Sequence, residues 1–235
     1  MSSSKLSKSI DRIGMHGRRI IDDVRRMRIV TNETVRKRCM QELTANAVAK
    51  TTSKLAADGW LCACPLIGRR KYFTPGPRTV STLSLSQSAS KPLGSQALPT
   101  WVAVSSYIAM SGPVTRVSLP SELKASFPWM PGYLMVGPHV MKTLTDKIEL
   151  RLIRVDLGGS VKHIASKCEE DLRRRVSFPQ FQSMLETKTF VFVVLTTTEQ
   201  KKKFLMKELS NRRWPQGVRF ELCVVPDLYH VLGVQ

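Results

Sequence analysis

The chain has 235 residues, enough for one large domain or two small ones. Its 37 Lys and Arg against 18 Asp and Glu give a formal charge of +19, and 42% of its residues are apolar. The apolar fraction excludes a wholly disordered basic tail, and the charge narrows the partners to polyanions, nucleic acid before an anionic membrane.

No run of 18 apolar residues occurs, so no membrane-spanning helix is expected. The opening MSSSKLSKSIDRIG carries no apolar signal core. A cytoplasmic protein is therefore expected. The five cysteines (Cys39, Cys62, Cys64, Cys168, Cys223) are odd in number and irregular in spacing. They read as scattered thiols in a reducing compartment, not as a disulfide framework or a four-ligand zinc site. Neither a metal nor a cofactor is expected.

Residues 81–100, STLSLSQSASKPLGSQALPT, hold six serines and no acid, and lack a strong apolar period. They read as a linker between residues 1–80 and residues 101–235. The first part has 17 basic and 6 acidic residues, net +11, so it is the expected anion-binding unit.

Within it, Ile13, Ile20, Ile21 and Val24 repeat at helical spacing and predict a helix over Lys8 to Met27. Thr31 is a cap for a second helix, Asn32 to Gln41, with Glu33 favourable in its first turn. Thr44 caps a third, ANAVAKTTSKLAA, which stops at Asp58-Gly59. Two β-prone runs follow, Trp60–Cys64 and Lys71–Thr74, around a turn with Pro65 and Gly68. This is a hairpin tipped by Arg69, Arg70 and Lys71. The run of helix, cap, AVAKTTSKLAADGWL, basic turn and KYFTPG resembles winged helix-turn-helix domains.

On the third helix Val48 and Leu55 are seven apart and face inward, which turns Asn46, Lys50, Ser53 and Lys54 to the other side. Asn pairs with adenine and Lys with guanine in a major groove. Arg69, Arg70 and Lys71 would reach flanking phosphates or the minor groove. Arg18, Arg19, Arg25, Arg26 and Arg28 make the first helix basic, and Arg36, Lys37 and Arg38 the second. The expected DNA-binding residues are Asn46, Lys50, Ser53, Lys54, Arg69, Arg70, Lys71, Arg36 and Arg38.

In the remainder, Trp101–Met110 reads as a helix, Tyr133–Val136 as a short strand and Ile148–Val155 as a longer one. Ser160–Val176 reads as a helix and Thr189–Leu195 as a buried strand. Glu199–Asn211 follows as a helix and Val218–Val225 as a last strand. The expected class is α/β, α+β overall.

This α-β-β-α-β-α-β order resembles the restriction-endonuclease-like core. A winged helix ahead of such a core resembles the plasmid replication–relaxation family. The local match is Arg154-Val155-Asp156-Leu157-Gly158, then a helix with Lys167, then an apolar strand. The resemblance implies a role in replication or mobilisation of a plasmid or integrated element. Its implied partners are double-stranded DNA and other replication or mobilisation proteins, without a membrane. Paired half-sites would suit a homodimer.

The sequence departs from a nuclease where chemistry is needed. Metal-dependent phosphodiester hydrolysis uses hard oxygen ligands and usually a nearby Lys. The turn where an Asp is expected reads Gly137-Pro138-His139, and Arg154 stands where a Glu is expected. Asp156 alone is left, with Lys162 or Lys167 as substitutes for the missing Lys. A catalytically inactive core is therefore expected. A Mg²⁺-dependent nuclease using Asp156 and Lys167, or a basic protein-interaction module, are the alternatives. The bland reading of Asp156 is a turn former ahead of Gly158-Gly159. The clusters Arg173-Arg174-Arg175, Lys201-Lys202-Lys203 and Arg212-Arg213 add charge. Lys201–Lys203 begin a helix whose dipole disfavours them, so either an external anion such as a phosphate backbone or a solvated face is expected there.

Overall fold

A computed structural model describes residues 13–145 and 147–233. The chain is mixed α/β and divides into two compact units, residues 1–110 and 111–235. The expected cut at 80 is thus corrected to 110.

In the first unit, α1 (Met15–Met27) buries Ile20, Ile21, Val24 and Met27. The predicted start at Lys8 lies outside the described residues. Strand β1 (Val30–Thr31) leads directly into α2 (Asn32–Cys39), whose cap Thr31 accepts from the Thr34 amide at 3.1 Å. A five-residue turn, 40–44, then reaches α3 (Ala45–Ala57), capped by Thr44 on the Ala47 amide. Each cap satisfies an amide that the first helical turn leaves without a partner.

Strands β2 (Leu61–Pro65) and β3 (Lys71–Pro75) form an antiparallel hairpin, and β1 pairs β3 to complete a sheet in the order β1-β3-β2. Helices α1, α2 and α3 and this three-stranded sheet follow one another in the order expected of a winged helix-turn-helix unit. At its base Gly76 is required by space: a Cβ there would meet the Gly59 carbonyl oxygen and stand 2.7 Å from the Leu61 nitrogen.

The segment 81–100 is not a linker. After α4 (Pro77–Thr82) the chain makes a 3₁₀ turn (Gln87–Ser90) and enters α5 (Ala97–Met110). The serines satisfy backbone locally: Ser86 accepts from the Ser88 amide and Ser90 donates to the Gln87 carbonyl. The segment is also tied to β3, because Thr74 Oγ1 donates to the Ser90 carbonyl and the Leu93 amide donates to the Tyr72 hydroxyl, each at 3.1 Å. Helix α5 buries Val102, Val104, Tyr107 and Ile108 within this unit, with Ser105 Oγ 3.0 Å from Thr34 Oγ1 of α2.

The second unit is a five-stranded sheet in the order β4-β5-β6-β7-β8. Its strands are β4 (Thr115–Val117), β5 (His139–Thr143), β6 (Ile148–Val155), β7 (Phe190–Thr196) and β8 (Arg219–Val224). β4, β5 and β6 are antiparallel neighbours, while β6, β7 and β8 run parallel. The helices are α6 (Pro120–Ser126), α7 (Val161–Arg173), α8 (Pro179–Glu186), α9 (Glu199–Ser210) and α10 (Pro226–Leu232). The expected α-β-β-α-β-α-β order begins with the helix at 101–110, which belongs to the first unit; the second unit runs β5-β6-α7-α8-β7-α9-β8-α10 from His139 onward.

One correction concerns its first strand. Tyr133–Val136 is not extended; Gly132–Leu134 is a 3₁₀ turn and the strand begins at His139. Strand β7 is buried along its whole length, as its unbroken apolar run requires. Its Phe190, Phe192 and Val194 pack with Leu150 and Leu152 of β6, Ile164 and Cys168 of α7, Phe181 of α8 and Leu205 of α9.

Candidate nucleic-acid interface

Helix α3 is amphipathic in the sense that the sequence predicts. Val48, Thr52 and Leu55 are buried, while Asn46, Lys50, Ser53 and Lys54 are exposed along the opposite stripe. Thr52 was not among the expected residues, yet it fixes the helix pair. Its hydroxyl lies 2.8 Å from the Asn32 side-chain oxygen at the start of α2 and 3.2 Å from the Val48 carbonyl. Hydroxyls at helical interior positions commonly return to the preceding turn. The signal available in the sequence was a Thr at i+4 from Val48 on the apolar seam.

The hairpin tip presents Arg69, Arg70 and Lys71 to solvent. Its loop closes through the Leu66 amide to the Arg70 carbonyl at 3.0 Å, with Gly68 at φ +62° supplying the left-handed turn. Arg70 stands 3.8 Å from Glu33, which also pairs with Lys37 at 2.8 Å. These exposed pairs contribute little stability. They place one acidic group beside the tip.

The basic residues of α1 and α2 sort differently from the expectation. Arg36 is exposed. Arg38 is not available to a ligand: its Nε and Nη2 donate to Asp23 at 2.8 and 3.1 Å, and Asp23 is 8% exposed. Arg38 therefore ties α2 to α1. Cys39 donates to the same carboxylate, and burial together with Asp23 pushes its thiol up to about 12. Arg25 and Arg26 both pair with Asp22, and Arg28 lies over the Trp101 ring at 5.8 Å. Lys54 additionally lines a cavity of about 590 Å³ with Met15, Leu43, Asp58, Trp60 and Arg78.

In the second unit, Asp156 is 1% exposed and closed by its own neighbours. It accepts from the Gly158 amide at 3.2 Å and the Thr196 hydroxyl at 3.1 Å. The first bond is the turn-forming role. The ammonium facing it is Lys201, at 3.6 Å, which also donates to the Gly159 carbonyl at 2.8 Å. Lys167, named with Asp156 for the nuclease alternative, is exposed on α7, and the ammonium beside Asp156 is that of Lys201. This also corrects the reading of Lys201–Lys203. Lys201 serves an internal carboxylate, Lys202 pairs with Glu199 at 3.7 Å, and Lys203 is exposed.

Where the nuclease alternative would need carboxylates, β5 begins with buried His139 and the penultimate residue of β6 is Arg154, which grips Asp171 of α7. Arg212 is likewise engaged with Glu169 and Glu208. Among the described residues, no group of three or more His, Cys, Asp or Glu side chains is placed to hold a metal ion. Among the same residues no helix is long and apolar enough to cross a membrane. All five cysteines are free thiols.

No known family, characterised protein or solved structure matches the chain.

Proposed function

We propose that this chain binds double-stranded DNA through its first unit, with α3 in the major groove and the hairpin on the flanking backbone. The observation that carries the reading is the stripe Asn46, Lys50, Ser53 and Lys54. It lies opposite a buried seam, on the same unit as an exposed tip of Arg69, Arg70 and Lys71. Base edges are read by Asn46 and Lys50, and phosphates by Arg36, Ser53, Lys54 and the tip. The second unit acts without hydrolysis in this reading, because Asp156 is saturated by Thr196, Gly158 and Lys201. The resemblance to the plasmid replication–relaxation family extends the proposal to a cytoplasmic role in replication, mobilisation or transcriptional control of a mobile element.

The test is a salt titration of duplex binding. Neutralising about five phosphates gives a slope of log K against log salt of about −4.5. Lys50→Ala with Arg70→Ala should weaken binding and flatten that slope. A slope near zero for the native chain removes the reading, as does unchanged affinity in the double variant. Incubation with supercoiled plasmid and Mg²⁺ should leave it intact; nicking lost in Asp156→Ala would establish a nuclease instead.

A further inference from the structure

We propose that Arg154, at the C-terminal end of β6, is a second phosphate-binding point of this protein, holding a nucleic-acid backbone phosphate at the surface of the second unit. The inference rests on the DNA-binding reading for its source of phosphate, but on separate residues. Arg154 and Arg175 converge on one carboxylate, Asp171. Arg154 donates Nε to Asp171 Oδ2 at 2.6 Å and brings Nη2 to the same oxygen. Arg175 contacts Asp171 at 3.6 Å and sends its donors to the carbonyls of Asp171 and Leu134. The third member, His139, is 1% exposed; its Nδ1 faces the Gly137 carbonyl, which only accepts, so the ring is a neutral acceptor toward Arg175. Two guanidinium charges thus share one carboxylate.

The excess charge has an outlet. Arg154 is 25% exposed at its side chain while the carboxylate it grips is 8% exposed. Its Nη1 faces Gly137, where a Cβ would meet only that nitrogen, at 3.8 Å. Gly137, at φ +95°, puts no side chain in front of Nη1. A partly exposed guanidinium held through Nε and Nη2 keeps Nη1 as its remaining donor, pre-oriented for a phosphate oxygen. A single remaining donor suits one phosphate of a polymer better than a free ion, which needs more donors to compete with water.

The experiment compares full-length Gly137→Asp with Gly137→Asn in duplex-DNA salt titrations. The two carry the same backbone strain and differ by one carboxylate in front of Arg154. Gly137→Asp should bind more weakly and lose about one unit of slope, as Arg154→Gln should, whereas Gly137→Asn should match the native slope. Equal behaviour of the two Gly137 variants overturns the proposal. Inorganic phosphate followed by ³¹P NMR separates the sources. Arg154-dependent binding of free phosphate, with DNA binding unmoved by Gly137→Asp, would assign the point to a small anion and sink the backbone assignment. Lys50→Ala with Arg70→Ala in parallel keeps the outcomes distinguishable: no effect there ends the major-groove reading, whatever position 137 shows.

Discussion

His139 illustrates how a single buried group sets pH behaviour. Burial first, then Arg175 and to a lesser degree Arg154, lower its pKa from 6.5 to about 4, against an opposing bond to the Gly137 carbonyl. The unfolded chain therefore binds a proton between these values that the folded chain refuses. Stability is fully present above pH 6.5 and is lost as pH falls toward 4, by about 3 kcal/mol at the low end. Urea unfolding from pH 7 to pH 4.5 should show this decline, and His139→Gln should flatten it. An unflattened curve would assign the acid sensitivity to another group.

Arg36 and Arg38 separate function from stability at the same scale. Residues two apart on a helix point in nearly opposite directions. Both therefore could not face one duplex, and the spacing already contained that. What it did not contain was Asp23 on α1, buried and waiting for the inward one. Arg38→Ala leaves that carboxylate without its guanidinium and should cost about 3 kcal/mol in chemical denaturation. Arg36→Ala should leave the denaturation midpoint unchanged and weaken DNA binding.

Among the elements, those with a strong period or a capping residue were legible. Thr31 and Thr44 announced α2 and α3, and the apolar run of β7 announced a fully buried strand. The alternation along Ile148–Val155 gave β6 to the residue. Apart from β5, placed too early at Tyr133–Val136, what escaped was short or started by proline: β1, β4, and the helices opening at Pro77, Pro120, Pro179 and Pro226. Two or three residues hold no period, and a proline at a first helical turn looks like a breaker until its neighbours are seen. The end of the hairpin gives a sharp test of element packing. At Gly76, with φ −77°, the demand is for space between the backbones of 59–61 and 76, not for an unusual dihedral. Gly76→Ala must push β2 from β3 and should destabilise by about 1–3 kcal/mol in thermal or urea unfolding. Gly94→Ala, where a Cβ meets nothing within 4 Å, is the matched control and should be silent.

At the scale of the whole molecule, composition placed the larger basic excess in the first part of the chain but put the boundary in the wrong place. Residues 1–110 hold 18 basic and 6 acidic residues, net +12, so moving the boundary from 80 to 110 keeps the excess charge on the first unit. The Ser/Pro-rich stretch misled because hydroxyl-rich sequence reads as solvated chain, whereas here it runs along β3 and delivers α5. Helix α5 is apolar nearly all round, and such a helix must be covered on most sides. Val102, Val104 and Ile108 are at most 1% exposed. Burial of each side chain contributes about 1.5–3 kcal/mol, and the net stability of a domain is only about 5–15 kcal/mol. A fragment ending at residue 80 would leave the α5-facing surfaces of α1, α2 and β1 bare, together with the Thr34 hydroxyl that meets Ser105. Residues 1–80 should therefore melt without a cooperative transition and lose duplex binding. Residues 1–110 should melt cooperatively and retain most of it. Circular dichroism melts and anisotropy titrations on the two fragments decide the matter. A cooperative 1–80 fragment with the affinity of the longer one would show that α5 is an accessory, and that the winged unit carries its own core.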